Sequence, residues 1–592
     1  MSNSLRTQAT SKTEIIPTPE KSNKKLRVLF YCAGLPLAGT KIWIYPTVLH
    51  LKTYLEYVYP EIADNIEWLI PIQVQVENQT LIDCIKEYDV DILCTSHYVW
   101  NHKFLLQQLH EIQDFITSNN MMVIAGGPSI DVNTDRDFFA NNSAIDYAIY
   151  GPGEQAFADI LYHIIEEKPL ITFNTSNCAW VNKTNGRVYI ADYKFVKMID
   201  QSPYTSNQQL LTSMVEDLQK NSNLSIWLPY TVTRGCPYSC TFCDWNSGFG
   251  TKVSRRKNTY QQEIDLFHEL GLTNIFLSDA NTGQYDEDVD MIEYFAKKNI
   301  EKNAGFIVNG SYSKLRKANN LKIYRTMAKA KLMVKSFSLS VQDINIDILN
   351  NINRPDVGWD VHVSIANTIR QEHPDIVVRA QLLFALPGQT VASWKQTLET
   401  VVKENILPTV MLNEPLPASP AMLDPVYQER FQFIYKHSNR LTPNIKSDGF
   451  QPYLSLVPIN SSSFNQSDIA RMQVLGDIYT ALTSINIAMQ HHGLSQFDVV
   501  RVADMVLQSQ QCENLYENLY NNWIEHNNFF YTIDFAQMQK NLTEMGHCLA
   551  KNMHFLKYVA QLLPKNQQAN FFKISLSTSF LQMVTDHGED ID

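Results

Sequence analysis

Short apolar segments alternate with segments of helical periodicity along most of this chain, and the alternation forms two series. In the first series the apolar segments lie at residues 26–32, 68–74, 91–98, 121–128 and 145–154. Alternating strands and helices are typical of a parallel sheet with helices on both faces. The first series therefore predicts a doubly wound, Rossmann-like α/β domain, whose ligands would bind at the carboxyl ends of the strands.

A second series begins near residue 226 and contains six further βα units. Its predicted strands lie at residues 226–235, 274–281, 305–311, 336–342, 378–388 and 408–416. Six parallel strands with intervening helices suit a partial TIM-like barrel, (β/α)6, with functional residues at the carboxyl ends of its strands. From residue 426 onward the periodicity is mainly helical.

These patterns divide the 592 residues into five parts, in keeping with the several domains expected of such a length. We expect a disordered leader at 1–24, an α/β domain at 25–170, a linker or small subdomain at 171–224, the barrel at 225–425 and a helical C-terminal domain at 426–592. The linker contains a predicted hairpin. Its turn is Asn185-Gly186, a dipeptide that favours the left-handed backbone of tight hairpin turns.

The charge and the hydropathy of the chain exclude several functional classes. Its 49 basic and 61 acidic residues give a net charge of −12, whereas nucleic-acid binding needs concentrated Lys and Arg. The sequence has no apolar run of the roughly 18 residues that a membrane-spanning helix requires. The first 24 residues are polar and lack the apolar core of a secretory signal. We therefore expect a cytoplasmic protein that binds neither nucleic acid nor membranes.

Three of the nine cysteines form a cluster with the spacing C-x3-C-x2-C. Cys236, Cys240 and Cys243 follow the first predicted strand of the barrel, where a loop would gather their thiolates around one centre. Thiolates select soft metals, notably zinc and iron–sulfur clusters. A structural zinc site needs a fourth ligand, and the next histidine, His268, lies inside a predicted helix. Three ligands favour an iron–sulfur cluster with one open coordination position; a zinc knuckle with a distant fourth ligand is the alternative.

The segment CPYSCTFC, placed after a first barrel strand, resembles the signature of the radical S-adenosylmethionine (SAM) superfamily. The resemblance implies that the three cysteines hold a 4Fe–4S cluster and that the methionine end of SAM chelates the remaining iron. It further implies that reductive cleavage of SAM yields a radical that abstracts hydrogen from a substrate. Phe242, the aromatic residue before the last cysteine, would lie near the adenine of SAM.

The carboxyl ends of the later barrel strands carry the other residues that the resemblance assigns to SAM. These are Asp279 and Asn281 on the second strand, Asn309 and Ser311 on the third, Gln342 on the fourth and Gly388 on the fifth. The second strand lacks the Gly-Gly-Glu segment that the family often has there. For each residue taken alone, a strand-end cap is an equally good interpretation.

The strand ends of the first series resemble a cobalamin-binding domain that precedes the barrel in one subfamily of these enzymes. The residues that carry the resemblance are Thr95, Ser96, Gly126, Gly127, Gly151 and Glu154. They would flank the nucleotide tail of cobalamin. The Asp-x-His-x-x-Gly motif of many cobalamin proteins is absent, because the segment after the first strand reads CAGLPLAGTKIWIYP. His97 and His102 are the nearby alternatives as cobalt ligands.

Two reactions fit this combination of cofactors. The resemblance favours cobalamin-dependent methylation of an unactivated carbon in a peptide or natural-product intermediate. The alternative is radical epimerisation of a peptide, in which the thiol of Cys512 or Cys548 returns hydrogen to Cα and the cobalamin-like domain is structural. Either reaction needs a peptide or small-molecule substrate and an external electron donor of the flavodoxin or ferredoxin type.

Overall fold

The structure is a computed structural model. It describes residues 25–35, 41–130, 132, 137–168, 175–182, 185–245, 251–257, 259–333, 336–416, 419–440, 453–510, 512–513, 516–517, 559–565 and 567–568. The leader expected at 1–24 lies outside these residues. No helix within the described ranges is both long enough and apolar enough to cross a membrane.

The strands and helices are labelled in chain order. The strands are β1 Leu26–Gly34, β2 Lys41–Trp43, β3 Ile66–Trp68, β4 Ile72–Val74, β5 Ile92–Ser96, β6 Met122–Gly126, β7 Tyr147–Ile149, β8 Cys178–Asn182, β9 Arg187–Ile190, β10 Ser225–Tyr230, β11 Thr233–Arg234, β12 Ser254–Arg255, β13 Asn274–Thr282, β14 Ile307–Tyr312, β15 Ser336–Gln342, β16 Val377–Phe384, β17 Leu407–Leu412, β18 Ile434–Arg440 and β19 Tyr453–Asn460.

The α-helices are α1 Thr47–Val58, α2 Asn78–Tyr88, α3 His102–Glu111, α4 Gln113–Ser118, α5 Phe138–Asn141, α6 Glu154–Glu166, α7 Pro203–Ser206, α8 Gln208–Asn221, α9 Tyr260–Glu269, α10 Asp286–Lys302, α11 Lys317–Lys329, α12 Ile346–Asn351, α13 Trp359–Glu372, α14 Val391–Lys403, α15 Pro420–Leu423, α16 Pro425–Phe431, α17 Gln466–His491 and α18 Val499–Leu507. A 3-10 helix spans Pro60–Asn65.

The first of two compact units contains the described residues up to Leu35 and from Ile44 to Ser222. Its sheet has the order β3-β1-β5-β6-β7-β8-β9, and β4 also pairs with β1. The strands from β3 to β7 pair in parallel, which confirms the predicted doubly wound sheet. Buried apolar side chains of neighbouring strands, such as Leu29, Leu93 and Val123, form its core with residues of the covering helices.

The hairpin expected at Asn185-Gly186 is confirmed, and it belongs to the sheet of the first unit. Strands β8 and β9 pair antiparallel, and Gly186 has the left-handed φ of +69° that the turn requires. Strand β8 pairs antiparallel with β7, so the hairpin extends the sheet. Part of the segment expected as a linker at 171–224 therefore lengthens this sheet.

The second unit contains the remaining described residues, including the short strand β2. Its barrel strands form two parallel sheets, β2-β10-β13-β14 and β15-β16-β17. All six predicted strands of the partial barrel are present in the predicted order. Strand β2 was not predicted: it pairs in parallel with β10, and the ring of Trp43 packs against Trp227 and edge-on against Phe276.

The C-terminal part of the second unit is mainly helical in its described residues, with one difference from the sequence expectation. Helices α17 and α18 fall where helical periodicity predicts them. Strands β18 and β19 form an antiparallel hairpin that was expected to be helical. The two strands stabilise each other by pairing, a feature that the periodicity of one segment does not reveal. The predicted helical stretch at 534–563 lies mostly outside the described residues.

Helix α17 is buried nearly all round, because it packs between α14 and the outer face of β17. Gly476 makes the closest approach: a Cβ atom there would lie 2.7 Å from Cγ1 of Val410 on β17. The indole Nε1 of Trp394 donates to the carbonyl oxygen of Met472 at 2.8 Å. A glycine therefore occupies a helix position where its low helix propensity is offset by close packing.

We predict that the overpacking in Gly476→Ala lowers the free energy of unfolding by about 1–3 kcal/mol. The higher helix propensity of alanine offsets roughly 1 kcal/mol of this loss. Urea unfolding of the variant measures this change. The double variant Gly476→Ala/Val410→Ala removes the clashing methyl groups, so Val410→Ala should cost less in the Gly476→Ala background than in the wild type. Additive effects of the two substitutions would contradict the proposed contact.

Candidate functional site

The cysteine loop, residues 235–245, is held in place by backbone groups from distant parts of the second unit. The N–H of Thr241 donates to the carbonyl of Ile352 at 3.0 Å. The N–H of Ala421 donates to the carbonyl of Thr241 at 2.8 Å, and the N–H of Leu416 donates to the carbonyl of Phe242 at 3.2 Å. The hydroxyl of Tyr427 lies 2.9 Å from Oγ1 of Thr241. The loop thus has a fixed path before any ligand binds.

The start of the cysteine loop depends on two further constraints. Gly235 has φ +89°, and a Cβ atom there would lie 2.3 Å from the carbonyl oxygen of Lys252. The carboxylate Oδ1 of Asp279 accepts the backbone N–H groups of Val232 and Thr233, both at 2.9 Å. Burial raises the pKa of Asp279 to about 6, and these two hydrogen bonds oppose the rise. Asp279 therefore supports the approach to the loop from behind.

A cleft of about 690 Å³ opens beside the cysteine loop at the carboxyl ends of the barrel strands. Its described lining residues are Cys236, Tyr238, Cys240, Phe242, Cys243, Trp245, Ala280, Ser311, Tyr312, Lys314, Ser340, Gln342, Arg354 and Gln381. This set contains two basic side chains and no carboxylate. The charge of this lining favours an anionic group.

The three thiols differ in their environment but lie along the same cleft. Cys236 and Cys240 are buried, and Cys243 is half-buried. Burial raises the pKa of Cys243 to about 11, while the charge of Lys314 lowers it. Within the described ranges, no three His, Cys, Asp or Glu side chains are placed to share a single metal ion. Three thiols along one cleft suit an iron–sulfur cluster, in which separate thiolates bind separate iron atoms.

Lys314 lies at the centre of the polar contacts around the thiols. Its Nζ donates to Oδ1 of Asn281 at 2.7 Å and lies 5.0 Å from the ring centroid of Tyr238. Nδ2 of Asn281 donates to Sγ of Cys236 at 3.1 Å. Burial lowers the pKa of Lys314, and the nearby thiols Cys236, Cys240 and Cys243 raise it. Lysine, asparagine and thiol therefore form one continuous chain of contacts.

Two buried polar atoms in the cleft have no hydrogen-bond partner among the residues that the structure describes. They are Oε1 of Gln342 and Nε of Arg354. Arg354 is only 6% exposed, and its Nη2 donates to the carbonyl of Ser340. Unpaired buried polar atoms are costly unless a ligand or water satisfies them. An acceptor and a charged donor thus line the cleft as candidate contacts for a polar, anionic ligand.

The structure brings some of the predicted SAM residues to the cleft and leaves others behind it. Phe242, Ser311 and Gln342 line the cleft with the three cysteines, and Asn281 contacts Cys236 directly. Four predicted residues do not line it: Asn281; Asp279, which holds backbone groups; Asn309, whose Oδ1 accepts the N–H of Gly310; and Gly388, at a left-handed turn beside Asn351. Sequence analysis missed Tyr238, Lys314, Ser340, Arg354 and Gln381.

In the first unit, the carboxyl end of β5 leads into a buried pair of histidines. Nε2 of His97 lies 2.9 Å from Oγ1 of Thr95, and its Nδ1 lies 3.1 Å from Nδ1 of His102. Burial lowers the pKa of both imidazoles, and the charge of His102 lowers that of His97 further. Both nitrogens of His97 are thus engaged within the protein.

The glycines predicted to flank a nucleotide tail permit close backbone packing in the first unit. Gly127 has φ +118°, and a Cβ atom there would lie 2.3 Å from the carbonyl oxygen of His97. Gly151 has φ +66° and lies against the ring of Tyr193. Gly126 pairs with Ser96 across β5 and β6, and the buried Glu154 begins α6. These residues lie at or just beyond the carboxyl ends of β5, β6 and β7.

The two cysteines of the epimerase alternative receive no support from the geometry. Cys512 is buried, does not line the cleft, and burial raises the pKa of its thiol to about 11. Cys548 lies outside the described residues.

Comparisons with known proteins agree with this geometry. Residues 230–401 match the radical SAM superfamily model. The chain is 25% identical over 388 residues to 2-(S-pantetheinyl)-carbapenam-3-carboxylate methyltransferase of Streptantibioticus cattleyicolor, covering 62% of this chain and 54% of that protein. It is 26% identical over 380 residues to the cobalamin-dependent radical SAM methyltransferase TokK of Streptomyces tokunonensis, with the same coverage of both chains. The chain thus spans about half the length of these curated relatives.

Two solved structures share the fold. The radical SAM methyltransferase TsrM from Kitasatospora setae superposes with a TM-score of 0.54 at 11% identity, covering 81% of this chain and 98% of that one. The cobalamin-dependent SAM radical enzyme OxsB superposes with a TM-score of 0.54 at 12% identity, covering 96% of this chain and 84% of that one. At this level of identity the likeness concerns the architecture.

We predict that Asp279 makes a distinctive contribution to the pH dependence of stability. Its folded pKa of about 6 exceeds the ordinary value of 3.8, so its protonation stabilises the folded chain at low pH. That stabilisation is lost as pH rises through about 6. The unfolding free energy of the wild type minus that of Asp279→Asn should therefore be largest near pH 4 and fall toward pH 7, a window of about three units.

Urea unfolding of the iron-free proteins across this pH range measures the difference. Asp286→Asn serves as the control, because Asn319 and Arg316 lower the pKa of the Asp286 carboxyl. Its difference from the wild type should change weakly and in the opposite direction, since stabilisation by a carboxyl with a lowered pKa is lost as pH falls. A pH-independent difference for Asp279→Asn would contradict the prediction.

Proposed function

We propose that this chain, whose residues 230–401 carry the radical SAM domain, is a cobalamin-dependent enzyme that methylates an unactivated carbon. The substrate would be a peptide or a natural-product intermediate. The observation that carries the proposal is the cleft at the barrel rim, where three thiols lie beside the buried Arg354, the half-buried Lys314 and two polar atoms without a partner among the described residues. The first unit supports the choice of methylation, because its fold is that of the cobalamin-dependent neighbours.

The thiols of Cys236, Cys240 and Cys243 would hold the 4Fe–4S cluster. When bound, the cluster supplies the electron that cleaves SAM, and cobalamin supplies the methyl group that is transferred. The chain's own contribution is to bind and orient these groups and to exclude water. Backbone hydrogen bonds to Thr241 and Phe242 fix the cysteine loop for this purpose.

The remaining polar groups of the cleft would hold SAM. Arg354 and Lys314 would bind its carboxylate, because charge-assisted hydrogen bonds to a carboxylate are the strongest contacts that either side chain makes. Oε1 of Gln342, buried without a partner, would accept a hydrogen bond from an amino or hydroxyl group of SAM. Phe242 packs on a buried apolar cluster that includes Ile348 and Leu386, so its ring offers a fixed surface for the adenine.

In the first unit, the strand-end residues Thr95, Ser96, Gly126, Gly127 and Gly151, with Glu154 at the start of α6, would flank cobalamin. The glycines leave the backbone free of side chains at the turns after β6 and β7. His97 does not fit the role of cobalt ligand, because both of its nitrogens contact protein groups. We therefore propose that cobalamin binds here without a ligand from His97.

The substrate class and the supply of electrons belong to the same proposal. One relative is named for a carbapenam carboxylate and another structure contains tryptophan, so small molecules are favoured as substrates. An external one-electron donor of the flavodoxin or ferredoxin type would reduce the cluster in the cytoplasm. Epimerisation is disfavoured, since Cys512 does not line the cleft.

We predict that the anaerobically reconstituted chain binds about four irons per molecule, retains added hydroxocobalamin and releases deoxyadenosine from SAM, as the 4Fe–4S and cobalamin assignments require. The triple variant Cys236→Ala/Cys240→Ala/Cys243→Ala should lose the iron absorbance and deoxyadenosine release but keep cobalamin. Cys512→Ala should retain all three properties. Unchanged iron in the triple variant would refute the cluster assignment, and absence of cobalamin in the wild type would refute methylation.

We predict that Arg354→Met weakens SAM binding by about 10- to 100-fold, because it removes a charge-assisted hydrogen bond worth roughly 1.5–3 kcal/mol. Calorimetric titration of the iron-loaded protein with SAM measures the affinity. The control Arg325→Met removes an exposed guanidinium that pairs with Glu372 away from the cleft, and its SAM affinity should match the wild type. Equal affinity for Arg354→Met would place the SAM carboxylate elsewhere.

A further inference from the structure

We infer that Asn281 donates a hydrogen bond to the thiolate of Cys236 in the loaded site, that Lys314 positions this amide, and that the pair raises the reduction potential of the cluster. The inference rests on the proposed cluster at the three cysteines. It assigns Asn281 to the cluster sulfur, whereas the sequence analysis assigns this residue to SAM.

The geometry fixes the direction of the contact between Asn281 and Cys236. An ammonium group can only donate hydrogen bonds, so the Asn281 atom 2.7 Å from Nζ of Lys314 must be the carbonyl oxygen. The amide nitrogen then faces Sγ of Cys236 at 3.1 Å and must be the donor. Lys314 therefore determines which end of the amide meets the sulfur.

The surroundings make this contact electrostatically effective. Asn281 and Cys236 are 7% and 5% exposed, so water screens their hydrogen bond poorly. The ring of Tyr238, whose centroid is 5.0 Å from Nζ, covers Lys314. The described lining of the cleft has no carboxylate that would neutralise the lysine. Both the oxygen and the nitrogen of the Asn281 amide already form hydrogen bonds within the protein.

Reduction adds one electron, and so one negative charge, to the cluster. The electron comes from an external one-electron donor, and no protein group gains or loses a proton. Hydrogen bonds to the cluster thiolates and nearby positive charge stabilise the more negative, reduced state, which raises the potential. Asn281 and Lys314 supply one contribution of each kind. Asn281 contacts the cysteine ligand directly, and Lys314 both positions the Asn281 amide and adds its own positive charge.

Three variants with SAM absent test the inference. Asn281→Asp keeps the shape but removes the amide donor, and Lys314→Met removes the ammonium while keeping much of the aliphatic stem. Arg316→Met is the matched control, because it removes a positive charge two residues away that pairs with the exposed Asp286. Each protein is reconstituted anaerobically, and the reduced fraction is followed by EPR during a titration with dithionite.

We expect Asn281→Asp and Lys314→Met each to lower the reduced-to-oxidised ratio about tenfold at a fixed potential, which is a downward shift of about 59 mV for one electron. Arg316→Met should keep the wild-type potential, and Lys314→Arg should recover part of the loss. The inference would be overturned if Asn281→Asp and Lys314→Met, fully loaded with iron, had the reduction potential of the wild type. Residues with a purely structural role would change the iron content of the protein but leave the reduction potential of the cluster unchanged.

A second measurement decides the matter if a variant loads iron poorly. In wild-type protein exchanged into heavy water, electron–nuclear double resonance of the reduced cluster should detect an exchangeable deuteron from the amide donor. Its absence would overturn the inference. Failure of the wild type itself to bind iron would instead overturn the proposed function, so the two failures are distinguishable.

Discussion

The fixed path of the cysteine loop is the constraint on which the rest of the site depends. The loop lacks regular structure of its own, and its backbone is held by Ile352, Leu416 and Ala421, which lie more than 100 residues away in sequence. The buried carboxylate of Asp279 holds the approach to the loop from behind. These contacts join the loop to residues beyond α12 and β17, so they depend on the assembled barrel. The three thiols are thus presented by the whole unit.

Much of this arrangement could be predicted from the sequence, because the alternation of strands and helices is a local signal. The six barrel strands and the first parallel sheet follow directly from it. The clustered cysteines are also local, and their spacing carries their chemistry. Strand β2 could not be predicted, because only its pairing with β10 makes a strand of Lys41–Trp43. The β18–β19 hairpin likewise depends on a partner rather than on its own period.

The site residues likewise divide into those with a local sequence signal and those that depend on the assembled fold. Phe242, Ser311 and Gln342 lie at strand ends or beside a cysteine, where the sequence signal is strong, and they line the cleft. Lys314 lies two residues beyond β14 and Arg354 lies beyond α12, and a basic residue in a loop is ordinarily solvated. Burial gives these two residues their significance, and burial is a property of the assembled barrel. Asp279 shows the converse, because its strand-end position predicted a ligand contact and its carboxylate binds the protein backbone instead.

The charge of the cleft lining is opposite in sign to the net charge of the chain. The chain carries a net charge of −12, yet the described lining of the cleft has two cations and no carboxylate. Burying a cation in a protein is costly unless negative charge or hydrogen bonds compensate for it. Deprotonated thiolates, a reduced cluster and a bound carboxylate would each supply the missing negative charge. The charge of the described lining therefore favours an anionic ligand.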